Sequence, residues 1–174
     1  GSVMGGKAQS AYLMKWNRYY NARALYKILD AGVLPRLTTE PFSANVNGKN
    51  MSFDRGTIVI PVSQRDANST LTEDDIHNLM NDIALENHVN IYATNSASTP
   101  TGPDLGGAFQ GLLKKPKVAI LSGRGTSSYG VGEVWHLLNH RMHIPASLVD
   151  ANNLSQRKLS HYNTLILADG NYTM

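Results

Sequence analysis

The residues of greatest chemical interest lie in the stretch SGRGTSSYGVGE, Ser122 to Glu133. Its glycines permit a tight turn. Where such a turn leads from a strand into a helix, unpaired backbone N–H groups attract anions. Gly123, Arg124, Gly125, Ser127 and Ser128 are therefore the candidate ligand-binding residues, the guanidinium and the two hydroxyls adding donors. The pattern is neither a dinucleotide fingerprint nor a Walker loop, because no glycine stands three beyond Gly125 and no Gly-Lys-Ser/Thr follows. Against the ligand reading stands a plain one, a turn that needs glycine for geometry alone, as most such turns do.

A second constellation is Glu133, His136, His140 and His143. On a regular helix, spacings of three, four and three place these side chains along one side, where Glu133, His136 and His140 can form a surface metal site. The competing reading is an exposed polar stripe opposite Val134, Leu137 and Leu138. Metal centres usually draw ligands from more than one element, and no second element offers any, so no native metal is expected in this chain. Other chemistries are excluded by type. None of the six His opens an HxxE or HExxH pair, and there is no GxSxG elbow. With no Cys there are no disulfides, thiolate zinc sites or thiol nucleophiles. Asp74 and Asp75 fall in a helical first turn, where acids complement the helix dipole.

These residues must be held by a framework. Ala11–Trp16 reads as a strand, and Asn21 offers a cap for a helix that carries Ala22, Leu25, Ile28 and Leu29 inward and stops at Gly32. Val33–Thr39 is a second strand. Asn47-Gly48 between Val46 and Met51 is a hairpin signal. The unbroken apolar run Gly56–Val62 suits a strand covered on both faces. Thr72 and Asp75 predict a capping box ahead of a helix bearing Ile76, Leu79, Met80, Ile83 and Ala84. Val89–Thr94 follows as a strand. Residues 96–116 are rich in Pro and Gly and read as a linker without regular structure. Beyond it come a strand at Lys117–Leu121, the glycine turn 123–132, a helix at Glu133–Met142 and a strand at Ser147–Asp150. A short helix or turn at Leu154–Tyr162 and a strand at Thr164–Ala168 complete the reading. Strands alternating with amphipathic helices predict an α/β fold in three layers, a mainly parallel sheet with flanking helices and right-handed crossovers. The last strand is followed by only six residues, so the sheet is expected to be incomplete at the C-terminus.

Composition adds bounds. The chain has 174 residues, 41% of them hydrophobic, with sixteen Lys+Arg against thirteen Asp+Glu. Only Lys114, Lys115 and Lys117 cluster, so the basic stripe of a nucleic-acid binder is missing. No run approaches the roughly 18 apolar residues of a membrane span. The opening GSVMGGK has no apolar segment of the kind a signal peptide requires.

The segment KKPKVAILSGRGTSSYGVGEVWHLLNHRMHIPASLVD, with LSHYNTLILADGNY after it, resembles the region that follows the catalytic domain in large bacterial (Bacteroidetes-type) zinc carboxypeptidase family proteins. That region is similar to a class I glutamine amidotransferase-like, flavodoxin-like α/β domain. WNRYYNARALYKILDAGV, PFSANVNGKNMSFDRGTIVIPV and NSASTPTGPDLGG resemble the stretch preceding it, so the likeness spans nearly the whole chain. It implies an α/β lobe with a β-hairpin insertion over 1–98, a Pro/Gly-rich linker over 99–116, and the N-terminal part of an amidotransferase-like domain over 117–174. It also implies a non-catalytic structural or interaction region of an exported, periplasmic or secreted protein. Its partner is then the upstream peptidase domain of the same chain, and zinc belongs to that domain's HxxE and distant His. The cysteine elbow of the amidotransferases is expected beyond Met174. The alternative is a small-ligand or anion-binding α/β domain using the Gly123–Gly132 loop.

Overall fold

Short apolar runs separated by Gly, Asn and Pro turns fold as brief strands, and the two longer amphipathic stretches of the first half fold as helices. A computed structural model describes residues 1–63, 65–154 and 159–172. The chain divides into two compact units, Gly1–Lys114 and Lys115–Met174.

The first unit begins with β1 (Val3–Met4), β2 (Ala11–Met14), α1 (Asn21–Asp30) and β3 (Arg36–Thr38). A hairpin of β4 (Phe42–Val46) and β5 (Lys49–Phe53) follows, then β6 (Ile58–Pro61), α2 (Glu73–Asn87), β7 (Ile91–Thr94) and β8 (Gln110–Leu112). At the hairpin, Asn47 and Gly48 adopt φ of +51° and +77°, the positive values that a two-residue turn demands. Asn45 Oδ1 accepts from the Gly48 N–H at 2.9 Å. The predicted capping box opens α2: Thr72 Oγ1 accepts from Asp75 N–H at 3.1 Å, and Asp75 Oδ2 accepts from Thr72 N–H at 2.8 Å. Asn21 is not a cap. It is the buried first residue of α1, and its amide ties that helix to the end of β2 through Arg18 N–H (2.6 Å) and the Lys15 carbonyl (2.9 Å).

Six strands form one sheet in the order β1-β7-β2-β6-β3-β8. Only β1 and β7 are parallel; the other four neighbour pairs are antiparallel. The expectation of a mainly parallel sheet therefore does not hold in this unit, for a topological reason. Helix α1 joins β2 to β3, which run in the same direction but have β6 between them. Helix α2 joins β6 to β7, which also run together but have β2 between them. Each crossover thus leaves a gap that a strand of opposite sense fills. This is the split βαβ course of ferredoxin-like folds.

The layers differ from expectation as well. Tyr12, Met14, Ile58 and Ile60 face one core with Ala24 and Ile28 of α1 and Ile76, Met80 and Ile83 of α2. Ala11, Leu13 and Val59 face a second core with Phe42, Ala44, Val46 and Phe53 of the hairpin. The central strands are indeed covered on both faces, but the hairpin and not a second helical layer covers one of them. Strand β8 lies inside the stretch expected to lack regular structure, and pairs with β3 through Arg36↔Leu112, Leu37↔Gly111 and Thr38↔Gln110.

The second unit carries β9 (Val118–Ser122), α3 (Ser128–His136), a π-helical turn (Leu137–Arg141), β10 (Ala146–Asp150), a 3-10 turn (Ala151–Asn153) and β11 (Thr164–Ile166). Its sheet has the order β10-β9-β11 and both pairs are parallel, as expected. Ala119, Ile120 and Leu121 of β9 are buried. The helix begins at Ser128 and not at Glu133, because Ser127 caps it by accepting from Gly130 N–H at 3.3 Å. Val131 is then its buried residue, and Leu137, expected inward, is 41% exposed. Part of the expected element at 154–162 lies outside the described residues.

Candidate functional site

The turn after β9 and the turn after β11 are stitched together by backbone. Ser127 N–H donates to the Asp169 carbonyl at 2.8 Å, Asn171 N–H donates to the Gly125 carbonyl at 2.7 Å, and Thr126 and Gly170 form an isolated bridge. Gly125 has φ of +86°, and a Cβ there would stand 2.5 Å from the Asn171 carbonyl oxygen. Gly170 faces the same crowding from the other side, its Cβ position being 2.4 Å from the Gly125 carbonyl oxygen. These glycines are required by the seam they form, whatever else the turn does.

Where these turns meet the 3-10 turn after β10, they enclose a cleft of about 540 Å³. The volume lies in the range of small-molecule sites. Arg124 and Gly125 line it from the first turn, Ala151 and Asn152 from the second, and Asn171 and Tyr172 from the third. Arg124 is exposed and makes no hydrogen bond or ion pair with a described residue. The Tyr172 hydroxyl donates to the Ala168 carbonyl, which fixes the ring at the edge of the cleft. The cleft therefore gathers one guanidinium, two side-chain amides and an aromatic ring at the carboxyl ends of three parallel strands.

Of the five candidate ligand residues, Arg124 and Gly125 line this cleft. Gly123 and Ser128 border a separate hollow of about 340 Å³ between α3 and the sheet, beside Val131, Trp135 and Leu148. The Ser127 hydroxyl is committed to capping α3. Asn152, Asn171 and Tyr172 were not singled out from the sequence. The signal that finds them is the position of the strand ends, since open parallel sheets take ligands beyond the carboxyl ends of their strands.

Glu133, His136 and His140 do not come together as a metal site. The regular helix ends at His136, and the π-helical turn that follows changes the rotation per residue. The His136 and His140 rings stack with centroids 5.0 Å apart, and Trp135 meets His140 edge-on at 5.2 Å. His143 stands past the turn with φ of +53°. Among the described residues no three His, Asp or Glu side chains are placed to hold an ion.

A polar network also lies near the core of the first unit. Tyr12 is fully buried, its hydroxyl accepts from Ala8 N–H at 3.1 Å, and it lies 2.9 Å from His77 Nδ1. Burial pushes the Tyr12 hydroxyl above its usual pKa, so it stays neutral. Nearby, Lys7 and Asp74 pair at 2.6 Å on the surface, which raises the Lys7 ammonium above its ordinary value. A hollow of about 410 Å³ lined by Asn45, Asn47 and Asn95 carries no ionisable group. Asn45 and Asn95 there already accept backbone N–H groups, from Gly48 and Gln9.

Comparison with protein-family models, with curated proteins and with solved structures finds no match to this chain.

Proposed function

We propose that this chain is a non-catalytic accessory region, structural or interaction-forming, of a secreted bacterial zinc carboxypeptidase-like protein. The observation that supports this reading is the block SSYGVGEVWHLL set in its strand order. The block follows β9 as cap and helix, and the order β10-β9-β11 is that of the first three strands of a flavodoxin-like sheet. The class I glutamine amidotransferase-like domain that the segment resembles is a fold of this type. The chain has no Cys to act as an amidotransferase nucleophile and no HxxE pair to hold the peptidase zinc. On this reading the metal and the chemistry belong to an upstream peptidase domain of the same protein, periplasmic or secreted. The test is to sequence the reading frame upstream and to assay the purified chain for peptidase and amidase turnover with added zinc. A signal peptide, an HxxE…H triad and no turnover are the expected results. A frame without a peptidase domain overturns the proposal.

The cleft favours a second reading, a small-ligand or anion-binding unit. Arg124, which has no partner among the described residues, supplies the charge. Thermal-shift titration with phosphate, nucleotides and sugars tests it. A rise in melting temperature that Arg124→Ala abolishes supports it, and no rise with any of them refutes it.

A further inference from the structure

We propose that Asn47 is a site of spontaneous covalent modification, losing its side-chain amide to the backbone nitrogen of Gly48, and that Asn45 governs the rate. Of all the asparagines in the chain, Asn47 alone is followed by glycine. The two residues form the exposed tip of the β4–β5 hairpin, between the paired Val46 and Lys49. Nothing stands within 4 Å of the Cβ position of Gly48. Neither a side chain of its own nor a neighbouring element therefore crowds that side of the peptide unit.

The chemistry is ring closure followed by hydrolysis, with water as the co-reactant. The Gly48 nitrogen gives up its proton and attacks Asn47 Cγ, forming an N–C bond. The Cγ–Nδ2 bond breaks, and Nδ2 takes up the proton and leaves as ammonia. The product is a five-membered imide made of Asn47 Cα, Cβ, Cγ and carbonyl carbon with the Gly48 nitrogen. Water then adds to one of the two imide carbonyls. Opening at Cγ leaves aspartate at position 47, and opening at the main-chain carbonyl leaves isoaspartate. Nothing is oxidised or reduced.

Asn45 restrains the first step. Gly48 N–H donates to Asn45 Oδ1 at 2.9 Å. An amide oxygen accepts and cannot donate, so it stabilises the N–H form and opposes loss of the proton. That bond must break before the ring can close. Both products alter the hairpin. Each puts a carboxylate into the hollow lined by Asn45, Asn47, Gly48 and Asn95, which carries no ionisable group. Isoaspartate also adds a backbone carbon to a two-residue turn, which disturbs the pairing of Val46 with Lys49. Phe42, Ala44 and Val46 of the hairpin belong to the second core, so the modification loosens the cover on that face of the sheet.

The experiment is timed incubation of the full chain at mildly alkaline pH, then proteolysis and fragment mass spectrometry that reads aspartate and isoaspartate at each asparagine. Asn47 is expected to convert before Asn68 and Asn95, each of which precedes serine. Asn45→Ala is expected to speed conversion at Asn47 about two- to tenfold, the range that one hydrogen bond is worth. The rates at Asn68 and Asn95 are expected to stay as they were. Asn45→Asp keeps an acceptor and is expected to be no faster than the unaltered chain. If Asn45→Ala does not fold, the unaltered chain in guanidinium chloride replaces it, because denaturation breaks the same bond. Asn47 is then expected to convert faster in denaturant than in buffer. No conversion at Asn47, or conversion no earlier than at Asn95, overturns the site. Equal rates at Asn47 with and without Asn45→Ala, or in buffer and denaturant, overturn the restraint. So does equal acceleration by Asn45→Ala and Asn45→Asp, or a parallel rise at Asn68 and Asn95 in Asn45→Ala, which would mean that the variant has only loosened the fold.

Discussion

Gly125 combines two demands that no other residue type meets, a positive φ and a backbone carbonyl where its Cβ would stand. Gly125→Ala is therefore expected to destabilise the second unit by about 1–3 kcal/mol, the usual cost of a strained backbone position. The check is the urea midpoint followed by Trp135 fluorescence. Gly132, inside α3, has nothing within 4 Å of its Cβ position. Gly132→Ala should consequently stabilise the same transition by about 0.5–1 kcal/mol through helix propensity. An equal effect of both changes would show that the seam between the two turns contributes nothing. In the first unit, Tyr12→Phe removes the acceptor of the buried Ala8 N–H and is expected to cost about 1–3 kcal/mol. Arg124 and the glycines were legible in the sequence because a charged side chain in a glycine turn is a local pattern. Asn152 and Asn171 were not, since what places them is the alignment of β10 and β11 beside β9, about 27 and 46 residues from the turn they join.

At the scale of elements, α2 shows how a local signal becomes a stabilising feature. Thr72→Ala removes the side-chain acceptor of the cap and is expected to lower stability by about 1 kcal/mol. The backbone N–H of Thr72 and then its hydroxyl hold the Asp75 carboxyl below its ordinary value of 3.8. A depressed pKa in the folded state means that the unfolded chain takes up the proton first as pH falls. The stabilisation is whole above the ordinary value and is lost as pH drops through the lower, folded one. The stability difference between the unaltered chain and Asp75→Asn should thus shrink as pH is lowered from about 5 to about 2, read from urea midpoints. A difference constant across that range would show that the bonded carboxylate contributes nothing. The capping box and the Asn47-Gly48 hairpin were legible because each is decided within four residues. Strand direction was not. The apolar runs at Ala11–Met14 and Ile58–Pro61 report burial on both faces, and that burial is the same whether a helix or a hairpin provides the cover. Nor do they report that a strand of opposite sense will fill the gap each crossover leaves. The two-residue β1 and three-residue β8 are too short to carry a pattern, and exist because a partner strand offers its edge.

At the scale of the molecule, residues 99–114 matter to the first unit in a way their composition conceals. Ser43 N–H donates to the Thr101 carbonyl at 2.9 Å, and Thr101 N–H and hydroxyl both reach Ser43 Oγ, at 3.1 and 2.8 Å. Thr39 N–H donates to the Phe109 carbonyl at 2.9 Å, and Leu113 N–H to the Pro35 carbonyl at 3.0 Å. Leu105 packs against the hairpin core and Leu113 against the helical core. A stretch that reads as a linker is thus bonded to β3, to the hairpin and to both cores, and β8 covers an edge that β3 would otherwise expose. Residues 1–114 are accordingly expected to fold alone, with one cooperative urea transition reported by Trp16. Residues 1–98 should unfold at lower urea and with a smaller dependence on denaturant, because less surface is buried to begin with. The two transitions are directly comparable, since both pieces contain Trp16 and lack Trp135. Coincident midpoints would mean that 99–114 only joins the units, and that the bonds to Ser43 and Thr39 contribute nothing measurable to the first one.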